Sequence, residues 1–217
     1  MKFSAKKIVL IGMLAAIAYI MVFLIRIPIL PAVPFLKYEP KDVIITIGGF
    51  LLGPMAAFLT SLVVSLVEML TISETGPIGA LMNLLSTCSF ACTAAIIYKR
   101  RHTLGGAILG LGIGSILTVI VMLLWNWLIT PLYMGQPREA VEALLLPAFL
   151  PFNLLKTGLN SALVLLLYKP LVSALRKAKL AEAPAGKHGS SKIGIYLLGA
   201  GLLATCILLI LVFQGKL

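Results

Sequence analysis

Apolar residues in this chain run on without alternating, in seven stretches near 8–25, 43–52, 54–72, 78–98, 104–128, 149–168 and 193–213. About 20 apolar residues in a helix cross the ~30 Å hydrocarbon core of a bilayer. Continuous runs are not the period-two pattern of a membrane β-barrel. The pattern therefore predicts an all-α, polytopic membrane protein. The second stretch is short, and Gly53-Pro54 cuts it sharply from the third. Residues 26–42 hold Pro28, Pro31, Pro34 and Pro40, which predicts a stiff cap over one side of the membrane. A membrane domain is expected over 1–178 and a basic linker over 179–192. A further transmembrane helix with a short tail is expected over 193–217.

Composition agrees with this pattern: 60% of residues are hydrophobic, only 12% are charged, and mean hydropathy is +1.09. Lys2, Lys6 and Lys7 precede the first stretch as in a signal peptide. That stretch runs too long and lacks a small-residue cleavage site, so a retained helix is predicted. With the N-terminus in the cytoplasm, residues 1–7, 99–103 and 169–192 carry 12 of the 18 Lys and Arg. Glu182 is the one acid among them. The positive-inside rule accounts for the net charge of +11, so nucleic acid is not an expected partner. Anionic lipid of the bacterial plasma membrane is a sufficient partner for the basic linker. On this orientation Arg26, Lys37, Lys41, Glu39 and Asp42 belong to the external cap, leaving Lys156 and Glu68 as the charges inside the membrane.

An ammonium within a membrane helix costs at least ~2.5–3.5 kcal/mol, and such groups face a cavity or a partner. Lys156 lies seven residues into its segment, about 10 Å deep. Glu68, Asn83, Asn126 and Asn153 fall in the same outer layer from the third to sixth segments. This shared layer predicts a polar cavity towards the outside. Each Asn is also able to serve as interhelical hydrogen-bond glue, and Glu68 as the counter-ion of Lys156. Trp125 and Trp127 fit an interfacial aromatic belt as well as a ligand platform.

Known catalytic patterns are missing from the sequence. There is no H-E-x-x-H, and Gly186-Lys187 lacks the first glycine of a P-loop. The three cysteines make neither a disulfide framework nor a metal spacing, and Cys88 and Cys92 share one helix face. No enzyme activity and no cofactor or metal are expected. Binding without a visible energy source suggests the substrate-capturing subunit of a larger machine.

Several segments carry a family resemblance: Lys41-Asp42-Val43, Phe50 to Ala57 (FLLGPMAA), Gly76 to Asn83 (GPIGALMN), Trp125 to Tyr133 (WNWLITPLY) and Pro151 to Lys156 (PFNLLK). In this order and spacing the chain resembles the riboflavin-specific substrate-binding (S) component of energy-coupling factor (ECF) transporters, over about residues 1–178. The resemblance implies a six-helix bundle, with 193–213 as an extra helix, and a riboflavin pocket in the outer half under a first-loop lid. Asn126, Asn153 and Lys156 match family positions that hydrogen-bond the flavin ring; Asn83, Glu68, Asp42, Tyr38 and Trp125 complete the candidate set. Gly12, Ala15 and Ala16 form a small-residue surface. The resemblance makes that surface the dock for a transmembrane coupling subunit driven by two ATPases. An S component for another vitamin and a stand-alone secondary transporter are the alternative readings.

Overall fold

The computed structural model describes residues 4–73, 75–177 and 192–217. Apart from Lys192, the expected linker over 179–192 lies outside the described residues, as do Lys2 and Glu74. Helix α1 (Ala5–Leu24) starts on Ser4, whose side chain accepts from the Lys7 N–H. The proline-rich segment that follows forms a short antiparallel hairpin, β1 (Ile27–Pro28) with β2 (Lys37–Tyr38). Helix α2 (Lys41–Leu52) ends at Gly53, where φ of 98° suits glycine, and Pro54 opens α3 (Pro54–Thr71). Helix α4 (Gly76–Thr87) continues through a π-helical turn at Cys88–Cys92 into α5 (Thr93–Arg101). Lys99, Arg100 and Arg101 occupy the last turn of α5, where the helix dipole favours cations. Thr103 caps α6 (Leu104–Leu128) by accepting from the Gly106 N–H. Two short helices, α7 (Thr130–Met134) and α8 (Arg138–Leu144), lead through a second π-helical turn into α9 (Leu150–Lys177). The last helix is α10 (Lys192–Phe213).

Among the described residues, six helical spans are long and apolar enough to cross a membrane: 5–24, 54–71, 76–101, 104–132, 138–171 and 193–213. Twelve-residue α2 extends only about 18 Å and does not span. Every apolar stretch of the sequence is thus a helix. Two boundaries differ: α9 runs to Lys177, past the expected end at 168, and α2 begins at Lys41, inside the expected cap. Lys41 and Asp42 are each 1% exposed, so their assignment to the external loop is corrected.

Close packing comes from small residues. A Cβ on Gly114 would stand 2.7 Å from the Phe90 carbonyl oxygen, and one on Gly110 2.8 Å from that of Ala94. Helix α6 therefore meets the α4–α5 helix almost backbone to backbone. Helix α9 packs against α2, α6 and α10, and a Cβ on Gly158 would come within 2.9 Å of Cys206 Sγ on α10.

Gly110→Val and Gly114→Val should each destabilise the fold by about 1–3 kcal/mol, because backbone cannot yield as a side chain does. Gly112→Ala, whose Cβ meets nothing within 4 Å, should leave it unchanged. Thermal unfolding in detergent checks this, and equal melting of all three variants would refute so close an approach.

Candidate functional site

The first turn of α2 places two opposite charges side by side in the interior. Lys41 points to α3, where its Nζ donates to both Glu68 oxygens at 2.7 and 2.6 Å. The same ammonium lies 3.0 Å from Glu39 Oε2 on the hairpin, and Arg26 Nε donates to Glu39 Oε1 at 3.0 Å. Asn83 of α4 donates to Glu68 Oε2 at 2.8 Å. Burial pushes the Glu39 carboxyl up, but the cations Lys41, Lys156 and Arg26 outweigh it and hold it below the usual range.

Asp42 points the other way. Its Oδ1 accepts from Thr87 Oγ1 at 2.6 Å, and its Oδ2 accepts from Asn160 Nδ2 at 3.2 Å. Lys156 Nζ lies 3.6 Å from Asp42 Oδ2 and donates to Ser86 Oγ at 3.3 Å. Tyr38 on the hairpin donates its O–H to Asn160 Oδ1 at 3.0 Å. Glu68 is therefore not the counter-ion of Lys156: Asp42 holds the lysine, and Lys41 holds Glu68.

Above these arms lies a cavity walled by Arg26, Phe35, Leu36, Lys37 and Glu39 of the loop, with Glu68, Asn83, Ser86, Met122, Asn126, Phe152, Asn153 and Lys156 from α3, α4, α6 and α9. Glu68, Asn83, Asn126, Asn153 and Lys156 of the expected polar layer thus line one cavity. Asn126 and Asn153 are buried, and each donates one amide N–H to the carbonyl four residues back, of Met122 and Phe149. Asn126 Oδ1 accepts from Thr130, whereas Asn153 Oδ1 accepts from none of the described residues. A second amide N–H of each Asn and further donor capacity on Lys156 remain for a ligand.

Not every candidate reaches the cavity. Asp42 and Tyr38 lie behind its wall, and Trp125 does not line it; the indole N–H of Trp125 is buried without a partner among the described residues. Trp127 is partly exposed, donates to Glu142 at 2.8 Å and lies under Arg138, as an interfacial residue would. Gly12 and Ala16 are on the surface, and a Cβ on Gly12 would meet nothing within 4 Å. Ala15 instead packs inside the chain with Ala57 and Val64, so its place on the outward small-residue face is corrected. The residues that sequence reasoning missed are Lys41, Glu39 and Arg26. The short length of α2 was the available signal that Lys41 starts deep.

A helical multi-pass membrane protein with a capped polar cavity at one end is the class that fold and site define. The ECF transporter substrate-specific component family matches residues 6–168, and the chain belongs to it. It is 32% identical over 179 residues to the riboflavin transporter RibU of Staphylococcus aureus (strain TCH60), covering 79% of this chain and 93% of that one. With the riboflavin transporter FmnP of Bacillus subtilis (strain 168) it shares 25% identity over 190 residues, covering 82% and 99%. A solved S component of a bacterial ECF transporter superposes with a TM-score of 0.66 at 32% identity, over 79% of this chain and 98% of that one. Helix α10 lies outside the residues the family matches.

Removing one partner of a buried ion pair costs about 3–5 kcal/mol. Lys41→Met should lower stability by that order, and Lys41→Met/Glu68→Gln should recover part of it. Unfolding in detergent measures both; a double variant no better than the single would disconnect the two residues.

Proposed function

We propose that this chain captures riboflavin from outside the cell and passes it to an ATP-driven ECF coupling module. The observation that carries the reading is the charge balance of the site. Arg26, Lys41 and Lys156 are matched by Glu39, Glu68 and Asp42 in ion pairs, with half-buried Lys37 also on the wall. A site so neutralised suits an uncharged ligand rich in polar atoms. Riboflavin is such a molecule, and the relatives named as riboflavin transporters support the choice.

In this reading the Asn126 and Asn153 amides meet the imide edge of the flavin ring, and Lys156 donates to a carbonyl or hydroxyl oxygen. Phe35, Met122 and Phe152 supply apolar cover for the ring. The hairpin acts as the lid. The N-terminus lies in the cytoplasm in this reading, which the distribution of Lys and Arg supports. Exposed Gly12 and Ala16 let the coupling subunit approach α1 closely. Two ATPases then supply the energy that this chain has no motif to harness.

The isolated protein should bind riboflavin tightly and quench its fluorescence. Lys156→Ala and Asn153→Ala should each weaken binding at least tenfold, about 1.4 kcal/mol. Tight binding of another vitamin with none of riboflavin would move the protein to a different substrate, and uptake into vesicles lacking the coupling module would make it a secondary transporter. Gly12→Leu and Ala16→Leu should spare binding and abolish transport by the assembled complex. Loss of binding in these two variants would instead place that face in the fold of the chain.

A further inference from the structure

Asp42 is buried and off the cavity wall, yet four polar groups converge around it. Its two oxygens accept from Thr87 at 2.6 Å and Asn160 at 3.2 Å, and the Lys156 ammonium lies 3.6 Å from Oδ2. Its place in the first turn of α2 sets the anion at the positive end of the helix dipole. The fourth group is the Tyr38 hydroxyl, which reaches Asp42 through Asn160. Lys156 in turn has one hydrogen bond among the described residues, to Ser86 at 3.3 Å. Its flexible stem would let the ammonium take several positions, and the carboxylate selects the one at the cavity wall.

We propose that Asp42 is a positioning residue: anchored by Thr87 and Asn160, it holds the Lys156 ammonium in place for the ligand and never touches the ligand itself. Tyr38, on the lid, shares that anchor through Asn160. Affinity thus depends on residues one layer behind the cavity, and the lid is tied to the same carboxylate that sets the lysine. The ligand in this inference is the one given under the proposed function, and it rests on that reading.

The test is a double-mutant cycle on the full chain in detergent, with riboflavin titration and melting temperature as readouts. Asp42→Asn should weaken riboflavin binding about as much as Lys156→Met does, at least tenfold. Asp42→Asn/Lys156→Met should bind no more weakly than Lys156→Met alone, because the carboxylate acts only through the lysine. Thr87→Val, which frees one Asp42 oxygen, should give a smaller loss in the wild-type background and none in Lys156→Met. Multiplying losses would show that Asp42 acts independently of Lys156, and unchanged affinity in Asp42→Asn would show that it does not act on binding; either overturns the proposal. Melting temperature tests the pair without any ligand: Asp42→Asn strands a buried ammonium and should melt lower, and adding Lys156→Met should raise melting again. Absence of riboflavin binding in the wild type would remove the functional reading, and the melting temperatures would still decide whether Asp42 holds Lys156.

Discussion

Two neighbouring residues of opposite charge, Lys41 and Asp42, begin a helix inside this protein, and much of the site depends on where they point. Buried ions are tolerated only with partners, since the desolvation penalty runs to several kcal/mol per ion. Successive residues of a helix face directions about 100° apart. The pair therefore divides its obligations: Lys41 reaches α3 and the hairpin, Asp42 reaches α4 and α9. One turn of α2 thus ties the hairpin and three spanning helices together. That turn sits inside the bundle, where Lys41 and Asp42 are each 1% exposed.

Apolar packing does a different job. In lipid, close contact between helices gains little from hydrophobic transfer, because the tails are as apolar as the side chains. Glycines allow backbones to meet instead, as Gly110 and Gly114 do on α6. Gly158 and Gly199 make room between α9 and α10 for the side chains of Cys206 and Leu166, so α9 is enclosed by the bundle on one side and by α10 on the other. A helix held in this way presents Asn153 and Lys156 from a rigid support, which is where such groups are most accurately placed.

Much of this was legible in the sequence, and the failures have a physical pattern. Continuous apolar runs located α2 and every helix long enough to span, because hydropathy reports what a bilayer selects; the short α7 and α8 fell between the runs. Lys156, Glu68, Asn83, Asn126 and Asn153 converged as expected, because depth along a helix can be counted at 1.5 Å per residue. Lys41 and Asp42 were misplaced because they follow a run of prolines, and a polar loop reads as solvated whether or not it folds inward. Pairing was the other blind spot. Glu68 and Lys156 share a layer but take different partners, since layer depth says nothing about which side of the bundle a charge faces. Ala15 failed for the same reason: its spacing beside Gly12 and Ala16 could not tell the outer face of α1 from the inner one.

The pairing also decides what the cavity can recognise. Both oxygens of Glu68 are engaged by Lys41, and one also by Asn83, so this carboxylate has little left to offer a ligand. An anionic ligand would have to take a cation from its existing partner, which leaves a buried carboxylate uncompensated. The groups with spare capacity are instead Asn126, Asn153 and Lys156, two amides and one ammonium. Selectivity by such groups works through unmet hydrogen bonds: a ligand lacking the matching atoms strands the site's polar groups at about 1–3 kcal/mol each. The ion pairs hold the walls and cancel one another's charge. On the proposed function, what remains free to discriminate is a small set of directional donors and acceptors, which suits a neutral ligand with polar edges better than a charged one of similar size.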